Sequence, residues 1–205
     1  MRLEGLRGIT ICICGLAGSG KSTLAKRIAK HYGLKYRSGG DALKALALER
    51  GYEVGGRDWW ESEEGMRFLR ERMDKLDFDR EVDRKLLEFA REGNVVLDSW
   101  TMPWLFDGGF KVWLEVSEEV RAERIAKRDR LSVEEALRSL RKRERMTKAI
   151  YKRLYGFSLG EDLEPFHLII DSNILSADEV FEAFRMVIEN LLPRLRIEAG
   201  KPIKL

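Results

Sequence analysis

The chain contains no glutamine, and asparagine occurs only at Asn94, Asn173 and Asn190. Amides are thermolabile, and their scarcity beside 36% charged residues is a hyperthermophile tendency. Cysteine is nearly absent too. Cys12 and Cys14 sit two apart in one apolar run, too close along a strand to pair in ordinary disulfide geometry and too few to hold a metal alone. They read as small core residues. Histidine is limited to His31 and His167, isolated from each other, which argues against imidazole chemistry. No apolar run approaches the ~20 residues that span a bilayer, and the charged start Met1–Arg7 does not resemble a signal peptide. A cytoplasmic protein without membrane contact is the expectation. Low-complexity linkers and internal repeats are also missing, so the 205 residues read as one domain.

The richest stretch is Gly15-Leu16-Ala17-Gly18-Ser19-Gly20-Lys21-Ser22-Thr23, which fits the phosphate-cradling pattern G-x-x-x-x-G-K-[ST]. Its glycines permit a tight turn with backbone N–H groups aimed at one anion. Lys21 reaches toward β- and γ-phosphates, and the Ser22 hydroxyl is placed for Mg²⁺. The flanks agree with the motif. Ile9–Cys14 is a β-branched run suited to a buried parallel strand, and Thr23–Tyr32 has helical spacing with Leu24, Ile28 and Tyr32 on one face.

Strand and helix signals then alternate. Strands are expected at 34–37, 95–98, 110–116 and 168–171. Asp41 is the expected N-cap of a helix through Arg50. A helical region from Met66 to Arg91 shows a pattern shift near 76–78, and residues 51–65 read as irregular. Val95-Val96-Leu97-Asp98 closes in an acid, as P-loop proteins use beside their metal. Ser117 starts one helix. Ser132, with Glu135 three residues on, starts another as a capping box. Ser176–Leu192 is the last helix, and the tail 194–205 is basic. The alternation gives an α/β fold with a parallel sheet covered on both faces. Two excursions, 40–92 and 129–156, leave from the carboxyl edge of the strands, where such sheets bind ligands.

The net charge of +3 is unevenly spread. Residues 121–153 hold thirteen Lys or Arg against five Asp or Glu, a local +8, which leaves −5 for the rest. Arg121, Arg124 and Arg128 fall on one helical face. Such a cluster closes over polyphosphate or binds nucleic acid. Only Tyr151 and Tyr155 interleave it, a poor single-strand platform. A nucleotide-dependent nucleic-acid binder therefore ranks third among the readings.

Taken together, the P-loop, Asp79-Arg80-Glu81-Val82-Asp83-Arg84, Arg121 to Arg128, Arg143-Glu144 and Leu154-Tyr155-Gly156 resemble the archaeal cytidylate kinase family of nucleoside monophosphate kinases. The resemblance covers nearly the whole chain. It implies a P-loop three-layer sandwich with a five-stranded parallel core (1–39, 93–128, 157–193), an acceptor-binding excursion (40–92) and a lid (129–156). It also implies ATP and Mg²⁺, and transfer of the γ-phosphoryl group to CMP or dCMP. In that reading Lys21, Asp98, Arg124 and Arg128 are catalytic. Gly15 to Thr23 bind the donor, Ser22 and Asp98 hold the metal, and Asp41, Lys44, Arg80, Asp83, Arg84 and Ser99 bind the acceptor. A monomer is expected. Three positions depart from the family pattern: Lys44, Trp100 and Ile150 stand where it carries arginine. The second reading is therefore a kinase of a hydroxyl acceptor, a nucleoside or other small metabolite. Asp41 or Asp98 would then be the base, and Trp100 and Trp104 would stack on a ring.

Overall fold

The structure is a computed structural model that describes residues 8–56 and 59–191; the expected basic tail lies outside them. Five strands form one parallel sheet: β1 (Thr10–Cys14), β2 (Lys35–Ser38), β3 (Val95–Asp98), β4 (Phe110–Glu115) and β5 (Leu168–Asp171), in the order β2-β3-β1-β4-β5. Among the described residues eight α-helices connect and cover it: α1 (Lys21–Tyr32), α2 (Gly39–Glu49), α3 (Glu63–Asp74), α4 (Asp77–Glu92), α5 (Met102–Leu105), α6 (Glu118–Asp129), α7 (Val133–Tyr155) and α8 (Ala177–Leu191). The three central strands are almost wholly buried and mostly apolar because both faces are covered, as parallel sheets require. On one face Ile11 and Ile13 pack with Ile28 of α1 and Phe184 and Ile188 of α8. On the other, Cys12 and Leu97 pack with Leu86 of α4 and Phe68 of α3. Both cysteines are free and buried in this core.

The register matters for function. Ile13 pairs with Asp98 and Ser38 also pairs with Asp98, so β1, β2 and β3 end together. The P-loop, the acid of β3 and the start of α2 therefore meet at one edge.

Several boundaries differ from expectation. Ser38, not Asp41, caps α2: its side chain accepts from the Asp41 amide at 3.1 Å, so Gly39 and Gly40 are already helical. The irregular segment contains a 3₁₀ turn at Trp59–Glu61, and α3 begins at Glu63, capped by Ser62. The pattern shift near 76–78 is a true break between α3 and α4. A four-residue helix, α5, interrupts the aromatic loop after β3. The capping box of α7 is formed on both sides, and Gly156 ends that helix with φ 81°. Among the described residues no helix is long and apolar enough to cross a membrane.

Candidate active site

The P-loop turns between β1 and α1 on glycines at positive φ: Gly15 at 151°, Gly18 at 80° and Gly20 at 90°. A Cβ at Gly18 would lie 2.9 Å from the Arg121 carbonyl oxygen, so glycine is demanded by space as well as by backbone angle. No side chain caps α1, and its first turn holds no acid. Its leading N–H groups thus stay available to an anion, at the positive end of the helix dipole. Ser19 Oγ is buried without a hydrogen-bond partner among the described residues.

Below this cradle Asp98 Oδ2 accepts from the Ser22 hydroxyl and, at 3.0 Å, from Tyr36. Lys21 Nζ lies 3.4 Å from the Leu16 carbonyl oxygen and 5.3 Å from the centre of the Trp100 ring. Burial pushes the Lys21 pKa down, and Asp98 opposes that by stabilising the ammonium.

One cavity opens from this point toward the 40–92 excursion and beneath α7. At its P-loop end it is lined by Lys21, Lys44, Arg128 and Arg143, with Glu61 among them. Arg143 donates to Glu61 at 3.1 Å, and its guanidinium lies 4.8 Å from the Trp60 ring centre and 5.3 Å from that of Trp100. Burial holds the Arg143 pKa below its ordinary value. Burial likewise lowers Lys44, against the pull of Asp41.

The far end is a polar network. Arg72 of α3 donates twice to Asp79 of α4, at 3.0 and 2.6 Å, and both side chains are only 2% exposed. Asp83, one turn on, accepts from Thr101 at 2.6 Å and from Tyr155 at 2.7 Å. Burial raises its pKa to about 6 even though both hydroxyls favour the carboxylate. Ser99 lies 3.0 Å from the Thr101 hydroxyl and accepts from the Thr101 amide at 3.1 Å, which fixes the loop leaving β3.

The expected site residues are therefore only partly brought together. Lys21, Ser22, Asp41, Lys44, Asp83, Asp98, Ser99 and Arg128 line this cavity with Ala17 and Gly18. Arg80 and Arg84 do not. They sit on the exposed side of α4, where Arg80 pairs with Asp77, because the inward face of that helix belongs to Asp79, Val82 and Asp83. Arg124 is also separated from Arg128. It borders a second cavity with Ser19, Gly20, Thr23, Leu24, Ser172 and Val180, and donates to the carbonyls of Ser19 and Ser172 at 3.4 and 2.7 Å. Arg121 is buried, paired with Glu144 and bonded to the Ala17 carbonyl at 3.2 Å. It braces the P-loop from behind.

The three departures also find places. Trp100 donates its indole N–H to the Gly15 carbonyl at 2.6 Å, Ile150 is buried in an apolar cluster with Trp113 and Tyr151, and Lys44 faces the cavity. Trp104, expected to stack on a ligand ring, stacks instead on Phe157 at 4.1 Å. Arg72, Asp79, Thr101 and Arg143 also line the cavity and were not among the expected site residues. Asp79 and Arg143 stood within motif stretches, whereas Arg72 carried no such signal and meets Asp79 because the break at 75–76 folds α3 back beside α4.

Comparison with known proteins agrees with this architecture. A model of the "Cytidylate kinase-like family" matches residues 10–174. The cytidylate kinase of Pyrococcus horikoshii is 38% identical over 186 residues, covering 90% of this chain and 91% of that protein. The cytidylate kinase of Methanopyrus kandleri is 36% identical over 197 residues, with 91% and 96% covered. Among solved structures, shikimate kinase from Acinetobacter baumannii shares the fold at a TM-score of 0.54 and 19% identity, covering 89% of this chain and 93% of that one. The chain belongs to the cytidylate kinase-like family.

Proposed function

We propose that the protein is an ATP-dependent nucleoside monophosphate kinase whose acceptor is CMP or dCMP. The observation that carries this reading is the two-ended cavity: a cationic cage at the P-loop and a buried carboxylate–guanidinium–hydroxyl network at the other end. An acceptor with a phosphate at one end and a hydrogen-bonding base at the other suits both. Lys44, Arg128 and Arg143 would hold the acceptor phosphate, with Lys44 replacing the family's arginine as a point charge. Asp83, Asp79 and Arg72 offer acceptors and donors to the edge of a pyrimidine. The acceptor phosphate is already an anion, so the chain needs no general base; its task is to position the reactants and neutralise charge. Lys21 and Arg128 do the latter, while α7 keeps water out. The second cavity, with Leu24, Leu114, Leu175 and Val180 in its wall and Arg124 at its rim, suits the nucleoside of the donor.

Among the described residues no three His, Cys, Asp or Glu cluster together, so a protein-only metal cage is absent. Ser22 and Asp98 nevertheless fit Mg²⁺, which takes one or two protein oxygens and otherwise water and phosphate. They would hold it, and it would supply charge neutralisation between the phosphates.

The second reading, a hydroxyl acceptor, draws support from the positions where arginine is replaced. Against it, Trp100 is engaged by the P-loop and Arg143 adds a cation to the cage. For nucleic acid, Arg143 points inward, while Arg141 and Lys148 pair with Glu118 and Glu161, so part of the basic segment is already neutralised. An ATP-consumption panel tests the choice. CMP and dCMP should turn over well ahead of UMP, with free nucleosides, polyols and amino acids inactive. Turnover of hydroxyl compounds alone would sink the proposal.

A further inference from the structure

The cationic cage holds an acid of its own. The 3₁₀ turn Trp59–Glu61 carries Glu61 into it, with its side chain only 5% exposed. Oε1 accepts from Arg143 at 3.1 Å; Oε2 lies 3.6 Å from Arg128 and, among the described residues, has no hydrogen-bond partner although it is buried. Arg143 lies against the rings of Trp60 and Trp100, and its N–H edge is the part that donates to an anion. Glu61 takes part of that edge. It is held by one hydrogen bond and a looser charge contact, a weak grip for a buried carboxylate. A phosphate offers Arg143 more charge and a third oxygen, and charge-assisted bonds to phosphate are the stronger kind; Arg128 is already engaged through Nε and Nη2 by Asp129, so the exchange is read at Arg143.

We propose that Glu61 is a built-in competitor for the acceptor phosphate. It sets the phosphate affinity of the cage, and exchanging it for phosphate releases the Trp59–Glu61 turn from α7. This rests on the reading of Arg128 and Arg143 as phosphate ligands. A plain structural ion pair makes the opposite prediction, because removing Glu61 would then disorder the arginines and weaken phosphate binding.

Calorimetry with CMP and with cytidine as probes separates the two. Glu61→Gln should tighten CMP roughly tenfold, the size of one charge-assisted contact, and leave cytidine unchanged. Unchanged or weaker CMP binding would overturn the competitor role. Arg143→Met should weaken CMP; if it does not, the phosphate reading fails and the proposal falls with it. Tryptophan fluorescence of the unaltered protein gives a route that needs no charge variant. CMP should change the emission, cytidine should not, and Trp60→Phe should lose much of the change. An equal response to both probes would overturn the exchange.

Discussion

Asp83 is a residue whose burial opposes its charge. It is buried between Thr101 and Tyr155, one turn from Asp79, with the Arg72 charge committed to Asp79. Burial raises its pKa to about 6, against an ordinary value near 3.8. Between those values the folded chain keeps a proton that the unfolded chain has released, so Asp83 loses stabilising effect as pH rises. The loss is at most about 3 kcal/mol by neutrality. Other carboxylates, such as Glu71 and Glu118, are lowered by their hydrogen-bond donors and pull the other way, so the test is a difference. Denaturant unfolding of Asp83→Asn and the unaltered chain at pH 4 to 7 should show the variant gaining on it as pH rises; a constant gap would refute this account. The same rise makes Asp83 neutral in part of the population near pH 6. CMP affinity should therefore fall on acidification if the carboxylate accepts from the base, measurable by calorimetry at pH 5.5 and 7.5.

At the scale of elements, α7 shows what sequence conveys and what it hides. Its start was legible because a capping box is local: Ser132 and Glu135 satisfy each other's backbone amides. Ser132→Ala should cost about 1 kcal/mol, a drop of roughly 2–4 °C in Tm by calorimetry. Its seating was not legible. Glu144 reaches back to Arg121 of α6, which in turn holds Ala17, and Arg153 bonds the Met73 carbonyl of α3. Breaking the buried pair should cost far more than the cap. Glu144→Leu leaves a desolvated guanidinium and should destabilise by about 3–5 kcal/mol, whereas Arg121→Met with Glu144→Leu should recover much of that. If the double variant is no better than the single one, the pair is not the reason. The same distinction explains the cavity lining. Lys21, Ser22 and Asp98 stand where motif spacing puts them, on a loop, a helix start and a strand end. Arg80 and Arg84 were misplaced because the rotation of α4 is set by packing Phe78, Val82 and Leu86 inward, which puts Asp79 and Asp83 toward the cavity.

For the whole molecule, the P-loop lies between two cavities, and α6 serves both. Arg128 enters the one with the acceptor network; Arg124, one turn earlier, borders the other and grips Ser19. Arg121 ties the same helix to Ala17 and, through Glu144, to α7, whose Arg143 and Tyr151 line the first cavity. A ligand that orders Arg124 and the P-loop from one side therefore shares α6 and α7 with a ligand on the other. Whatever ordering the first ligand has completed, the second need not supply, which is positive coupling. A non-hydrolysable ATP analogue should thus tighten CMP binding, by roughly fivefold or more, and CMP should tighten the analogue by the same factor. The coupling should shrink in Arg124→Ala, which leaves the acceptor cavity untouched, so CMP alone should bind that variant as before. A full thermodynamic square by calorimetry reads all four affinities. Equal CMP affinity with and without the analogue would show that the two cavities act independently and that α6 transmits nothing. If CMP alone weakens in Arg124→Ala, that arginine supports the acceptor cavity after all, and the division of α6 between two ligands is wrong.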